Sequence, residues 1–216
     1  MEHTVALQDL RCRTVVDIGA NRGQFSLLAR ELFPCAHIFG FEPLAGPARV
    51  YERVFAGDSL VKLHLGDIGS KAEERTMHVS ARDDSSSLLP IGDEQARVFP
   101  GTHEVKTLAV QVVPLGSVLG ETAMERPALL KLDVQGFELE ALRGCERLLA
   151  RFDHIYCECS FMEMHKGQSL ADEVIAWLHE RGFRLAGAYN MAYDAGGKSV
   201  QADFLFQRDG SDSAAR

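Results

Sequence analysis

The stretch that most restricts how this chain can fold is residues 14–33, TVVDIGANRGQFSLLARELF. A β-branched run, Thr14, Val15 and Val16, leads through Asp17 into a turn holding Gly19, Asn21 and Gly23. Apolar residues then recur at Phe25, Leu28, Ala29 and Leu32, the spacing of one helix face. Strand, tight turn and helix in that order form the opening βα unit of a doubly wound, mostly parallel α/β sheet. Glycines lack the Cβ that would keep a ligand off the backbone, and a helix start carries N–H groups with no carbonyl partner inside the helix. The turn therefore reads as a ligand crevice.

The turn departs from the G-x-G-x-x-G spacing that a dinucleotide pyrophosphate needs, because Asn21 falls within it and Asp17 precedes it. Charge argues the same way: a carboxylate at the crevice repels a pyrophosphate and attracts an ammonium group. A cationic cofactor that carries an amino acid is the expected ligand. Residues 36–43, AHIFGFEP, read as a second strand ending in Glu42, about twenty residues past the loop, where a ribose-binding acid sits in such folds.

Farther on, residues 45–56 have a helical pattern, and LVKLHLGDIG over residues 60–69 reads as a third strand with a turn holding Asp67 and Ile68. Residues 74–126 interrupt the alternation of strand and helix. ERTMHVSA and KTLAVQVVPL there both alternate, which predicts a β-hairpin insertion with a long functional or mobile loop containing Ser85, Ser86 and Ser87. PALLKLDVQG over residues 127–136 is nearly all apolar up to Asp133, the pattern of a strand covered on both faces. A helix interrupted at Gly144 follows, then a fifth strand, HIYCECSF, then a helix capped by Ser169 and ended by Gly182. RLAGAYNMAYD and VQADFLFQR close the chain as a hairpin around residues 195–198. Strands joined by so short a turn must pair antiparallel, whereas a dinucleotide fold would cross over to a parallel sixth strand. The expected organisation is one domain over residues 1–208, opening on a helical turn or ordered tail, with a disordered end at residues 209–216.

Composition excludes other classes. A formal charge of −8 without a basic stripe argues against a nucleic-acid partner. No run approaches the ~20 apolar residues of a membrane span. Five cysteines, odd in number and without a CxxC pair, together with the lack of a signal peptide, read as reduced thiols in a cytoplasmic protein. Cys157 and Cys159, two apart on a strand, share a face and belong to the core rather than to a metal site.

Taken in order, DIGANRGQFS, FEP, SSSLLP, LKLDVQGFELEALRG, CECSF, GQSL and QADFLF resemble the FkbM family of S-adenosylmethionine-dependent methyltransferases, over residues 14–208. DVQGFELEALRG is the most specific piece; DxGxNxG alone marks only a class I methyltransferase. The resemblance implies a Rossmann-like, seven-stranded, mostly parallel sheet with an antiparallel last strand, and S-adenosylmethionine as cofactor. It assigns cofactor contacts to Asp17, Gly19, Asn21, Gly23, Ser26, Glu42 and Asp133, with Asp67 on the adenine amine and Ile68 on the ring. Members of the family carry a longer segment before the first strand, and in class I enzymes such a segment often covers the cofactor.

For the chemistry, Asp133 is expected either to hold the methionine ammonium, to orient the substrate hydroxyl, or to cap the next helix. Glu158 is a carboxylate in an apolar strand, costly unless it has a partner, and so is expected to meet substrate, metal or a structural partner. His165, in the loop MEMHKGQ, titrates near neutrality and is a candidate base, at a place where the resembled pattern carries Tyr. Asp133 and Glu158 also resemble carboxylates that hold a divalent ion in some class I O-methyltransferases, and hard oxygens suit Mg²⁺, although the reading does not depend on a metal. The expected activity is methylation of a hydroxyl on a small-molecule or sugar-bearing metabolite, O-methylation being implied by the resemblance. The rivals are a non-catalytic cofactor-binding module and an NAD-type oxidoreductase.

Overall fold

The computed structural model describes residues 2–210. After a short helix α1 (His3–Leu7) the chain forms β1 (Thr14–Ile18), α2 (Gln24–Leu32), β2 (His37–Glu42), α3 (Ala45–Val54) and β3 (Val61–Leu65). An excursion follows through β4 (Asp67–Ile68), β5 (Glu73–Ser80), α4 (Asp93–Val98), β6 (Glu104–Val113) and α5 (Leu115–Val118). The alternation then resumes with β7 (Ala128–Leu132), α6 (Glu138–Cys145), β8 (His154–Ser160), α7 (Ala171–His179), β9 (Phe183–Tyr193) and β10 (Ser199–Arg208).

Seven strands form one sheet in the order β3-β2-β1-β7-β8-β10-β9. The pairs from β3 to β8 are parallel, and β10 runs antiparallel to both β8 and β9. β1 and β7 are buried at every position, as their apolar runs, interrupted by Asp17 and Lys131, require when helices cover both faces. The last strand wedges between its predecessors instead of adding a parallel edge, which separates this sheet from the 3-2-1-4-5-6 order of dinucleotide folds.

The period of two along each strand divides the core. Val15, Ile38, Leu129, Tyr156 and Leu205 pack with Phe25 and Ala29 of α2 and with α1 on one face. Val16, Phe41, Leu130, Ile155 and Phe206 pack against α6 and α7 on the other. Cys157 and Cys159 are free thiols in this second core, their Sγ atoms 3.7 Å apart.

The insertion is a hairpin, as its alternation predicts, but it recruits a third strand. β5 and β6 pair antiparallel, and β4 joins β6 in a separate three-stranded sheet. Asp67 and Ile68 thus lie in a strand rather than a turn, because Gly66, at φ +144°, lets the chain leave β3. Gly144 marks contact between the two parts: a Cβ there would lie 2.3 Å from the Gly69 carbonyl oxygen, and α6 gives way to a 3₁₀ turn over Glu146–Arg151 just beyond it.

Two local expectations change. The N-cap of α7 is Leu170 and not Ser169; Glu173 reaches back to accept from the Leu170 N–H at 2.9 Å, which Ser169 would have left unmet. Of the expected disordered end, Asp209 instead donates its N–H to the Gly182 carbonyl at 2.9 Å, and residues 211–216 lie outside the described residues. Among the described residues no helix is long and apolar enough to cross a membrane.

Candidate functional site

A cavity of about 830 Å³ opens at the carboxyl ends of β1, β2, β7 and β8, where ligands of open α/β sheets bind. Gly19, Asn21, Glu42 and Asp67 line one end; Asp133, Glu158 and Asp203 line the other. Arg82 to Asp84 and Ser87 of the insertion form an outer wall, and His3 of α1 reaches in beside Asp203.

The glycine turn is built on left-handed residues, Gly19 at φ +76°, Asn21 at +46° and Gly23 at +93°. This curls the loop onto the end of β2. The N–H groups of Gly19 and Ala20 donate to the Phe41 carbonyl at 3.1 and 2.9 Å, and that of Gly23 to Ala20. The Asn21 N–H donates to Glu42 Oε2 at 2.9 Å. These donors are spent inside the protein, so the loop offers a ligand room and the Glu42 carboxylate rather than the free N–H groups expected from its sequence. No side chain fits at Gly19, where a Cβ would lie 1.9 Å from the Asp133 carbonyl oxygen.

Glu42 also accepts the Leu44 N–H, through Oε1 at 2.7 Å, and each of its oxygens keeps a lone pair. Burial pushes its carboxyl up to about 7. Asp67, likewise raised by burial to about 6, accepts the Ile68 N–H through Oδ1 at 2.8 Å. A folded-state value above the unfolded one means that the protonated form is favoured by folding. The contribution of Glu42 to stability is therefore complete below about pH 4.5 and is lost as the pH rises through about 7. Hydroxyls that donate to this carboxylate reverse the shift, so a ribose bound here is expected to release a proton near pH 6.5. Calorimetric titration with S-adenosylhomocysteine in buffers of differing ionisation enthalpy reads that proton directly; uptake, or no exchange, would contradict it.

Asp17 does not face the cavity. Its side chain is fully buried and paired with Lys131, whose Nζ lies 3.2 Å from Asp17 Oδ1. The cause is register: Asp17 and Lys131 are Cα partners on neighbouring parallel strands, so both project to the same face. Ser26 completes the pairing from α2, donating to Asp17 Oδ2 at 2.7 Å and accepting from the Tyr51 hydroxyl at 2.9 Å. Lys131 also donates to the Gly19 carbonyl at 3.2 Å and sits 3.7 Å from Asp133 Oδ2. Opposite charges hold its proton more firmly than an ordinary lysine does, against the pull of burial.

At the other end, the Gln135 amide joins the two acids singled out from the sequence. Its Nε2 donates to Asp133 Oδ1 at 2.8 Å and to Glu158 Oε2 at 3.0 Å. Gln135 is left-handed at φ +52° and pinned from both sides. Ser87 Oγ donates to its carbonyl at 2.6 Å, and Glu138 Oε1 accepts the N–H groups of Val134 and Gly136 at 3.2 and 3.1 Å. Glu138, not Asp133, thus secures the turn into α6. Gln201 donates to Glu158 Oε1 at 2.9 Å, and Asp203, the ladder partner of Glu158, accepts from Asn190 at 2.8 Å. Burial first, and then the negative charges of Asp133 and Asp203, hold the Glu158 carboxyl well above the ordinary carboxylate range.

Of the expected site residues, Gly19, Asn21, Glu42, Asp67, Asp133 and Glu158 meet in this one cavity. Asp17 and Ser26 stand behind its wall, Gly23 abuts Tyr51 and Phe55, and Ile68 is fully buried in the core. His165 is also behind the wall: it is 2% exposed, packs on Gly136, and burial lowers its imidazole to about 4. A ring held neutral and away from the cavity does not act as the base there. The sequence reading missed Lys131, Gln135, Asn190, Gln201 and Asp203. Lys131 carried a signal, as the lone charge in an apolar run, and so did Gln201 and Asp203, which alternate with Ala202, Phe204 and Phe206.

Comparison with known proteins agrees with this geometry. The chain is 26% identical over 147 residues to Methyltransferase 1 of Beauveria bassiana, covering 61% of this chain and 58% of that protein. It is 27% identical over 168 residues to the 2-O-methyltransferase NoeI of Sinorhizobium fredii, covering 71% and 66%. The chain thus spans less than two thirds of the length of these curated relatives. A Streptococcus pneumoniae protein described as a tRNA methyltransferase, solved with S-adenosyl-L-methionine, superposes with a TM-score of 0.52 over 96% of this chain and 71% of that one. At 11% identity this last likeness is one of fold alone. The model of the methyltransferase FkbM domain matches residues 17–185, and with that match over most of its length the chain belongs to the FkbM methyltransferase family.

Proposed function

We propose that the protein moves a methyl group from S-adenosylmethionine to a hydroxyl oxygen of a small-molecule or sugar-bearing acceptor. The observation that carries this reading is the two-ended cavity, with Glu42 and Asp67 at one end and the Asp133–Gln135–Glu158 bridge at the other. The residues fit the cofactor: Glu42 is anchored by two backbone N–H groups with lone pairs to spare for ribose hydroxyls, and Asp67 Oδ2 remains for the adenine amine. The bound cofactor supplies a methyl group on a positively charged sulfur that is a good leaving group.

What the chain must add is alignment and a place for the proton. Holding the reacting groups in line supplies up to about 7–11 kcal/mol of the barrier reduction in well-oriented systems. Asp133, with Gln135 locked beside it, orients the acceptor hydroxyl. Glu158 takes the hydroxyl proton as the O–C bond forms, and its raised proton affinity suits it to that better than an ordinary carboxylate. The Gln135 amide occupies the space between the two carboxylates that a cation would bridge. Turnover is therefore expected to be indifferent to a chelator; loss that magnesium restores would place an ion at Asp133 and Glu158.

Calorimetric titration with S-adenosylhomocysteine and with NAD tests the assignment. The first is expected to bind and the second not. Glu42→Ala is expected to weaken the first by roughly 10- to 150-fold for each ribose hydroxyl that loses its acceptor, since a hydrogen bond to a charged group is worth about 1.5–3 kcal/mol. Binding of NAD alone, or unaltered affinity in the variant, would overturn the reading.

A further inference from the structure

The side-chain amides at the acceptor end of the cavity all turn their nitrogens onto carboxylates of the chain itself. Both N–H groups of Gln135 go to Asp133 and Glu158, an N–H of Gln201 goes to Glu158, and Asn190 Nδ2 meets Asp203. An ionised carboxylate accepts only, so in that form each of these contacts turns the amide nitrogen toward the acid. Gln135 cannot be re-aimed cheaply, because its left-handed backbone is held by Ser87 and by the Glu138 turn. Most of what remains for a ligand at this end is oxygen, the Gln135 and Gln201 carbonyls and free lone pairs of three acids, beside the second N–H of Gln201. A ligand seated there meets more acceptors than donors, so one rich in donors fits best.

Charge narrows the class further. Of the lysine and arginine side chains lining the cavity, Lys131 has its ammonium engaged with Asp17, Asp133 and the Gly19 carbonyl, and Arg82 pairs with Asp84. His3 lies 3.5 Å from Asp203, but burial lowers its proton affinity, and its ring also meets the Tyr156 hydroxyl at 3.0 Å. Glu158 and Asp203 stand side by side across the β8–β10 ladder, and the group 3.5 Å from Asp203 is His3, whose protonated form burial disfavours. The methyl donor's single positive charge offsets one of the three acids at most. Burial and mutual repulsion favour the neutral forms of Glu158 and Asp203; an acceptor with a carboxylate or phosphate near its hydroxyl would favour them further, whereas an ammonium brings three donors and favours the ionised carboxylates.

We propose that the acceptor is an amino alcohol or amino sugar, a hydroxyl compound with a neighbouring protonated amine, and that Asp203 selects it by holding the ammonium while the hydroxyl lies at Glu158. This deepens the methyl-transfer reading and rests on it. The full chain, saturated with S-adenosylhomocysteine, is titrated calorimetrically with two matched sets: D-glucosamine, D-glucose and D-glucuronate; and 2-aminocyclohexanol and cyclohexane-1,2-diol. The amine of each set is expected to bind at least about tenfold more tightly than its neutral counterpart, and the glucuronate not at all. Asp203→Asn is expected to erase that preference, and Asp172→Asn, which removes an exposed acid of α7 outside the cavity, to keep it. Equal or better binding of the neutral compounds, a preference that survives Asp203→Asn, or failure of both amines to bind overturns the inference. Failure of S-adenosylhomocysteine itself to bind would instead sink the methyl-transfer reading, and retained binding in Asp203→Asn shows that the variant is folded.

Discussion

Glu158→Gln is expected to lower turnover by about 10²- to 10⁴-fold, the range that a positioned proton acceptor contributes. The substitution keeps the volume of the side chain but only one of its two acceptor contacts, since its new NH2 faces either the Gln135 or the Gln201 amide, and it removes the step Glu158 is assigned, which is to take the hydroxyl proton. Because burial and two neighbouring acids raise its proton affinity, the wild-type rate should climb with pH above the ordinary carboxylate range as Glu158 ionises. The variant should lose that limb and not merely be slower. The measurement is transfer of labelled methyl from S-adenosylmethionine to an active acceptor as a function of pH, beside S-adenosylhomocysteine affinity. A variant with wild-type turnover, or one that keeps the pH limb, removes Glu158 from the mechanism. A fall explained wholly by lost cofactor affinity does the same.

Lys131→Met carries the largest expected effect on stability, a loss of about 3–5 kcal/mol, the usual result of stranding one member of a buried ion pair. Asp17 is fully buried, with Lys131 as its countercharge and Ser26 as its other partner. Removing the ammonium leaves a carboxylate with one hydroxyl and no opposite charge, and it frees the Gly19 carbonyl. The double variant Lys131→Met with Asp17→Asn should recover much of the loss, since a neutral amide costs far less to bury than an unpaired charge. Urea denaturation of the wild type and the two variants reads these values. A single variant within about 1 kcal/mol of wild type would show that the pair does not stabilise the fold, as buried pairs on occasion do not. Because Lys131 also reaches Asp133, the single variant should in addition weaken the ordering of the acceptor end.

How much of the site could be read from the chain differs sharply between its two ends. Glu42 lines the cavity at the end of β2, whose length the apolar pattern sets, and Asp67 lines it from the start of β4, just past β3. Asp133 and Glu158 also meet as expected, being close to the carboxyl ends of adjacent parallel strands. Asp17 stands at an equivalent strand end and yet is withdrawn, because the residue beside it in the sheet is Lys131, more than a hundred positions away in sequence. His165 shows the same limit. Its loop follows the strand that carries Glu158, but it folds back on Ile91 and Gly136, so that the ring is covered.

The sequence by itself determined the layers: apolar runs broken only by Asp17 in β1 and Lys131 in β7 and alternating in β5 and β6, glycines where the chain must turn left-handed, and a closing hairpin with a turn too short for its strands to be anything but antiparallel. These follow from local sterics and from the periods of strand and helix, which each segment carries alone. Only the tertiary structure decided which acids meet a ligand and which meet a lysine, and which amides point their nitrogens inward. Those outcomes depend on which residue stands opposite in a neighbouring strand, and the register that pairs Asp17 with Lys131 and Glu158 with Asp203 is a property of the assembled sheet.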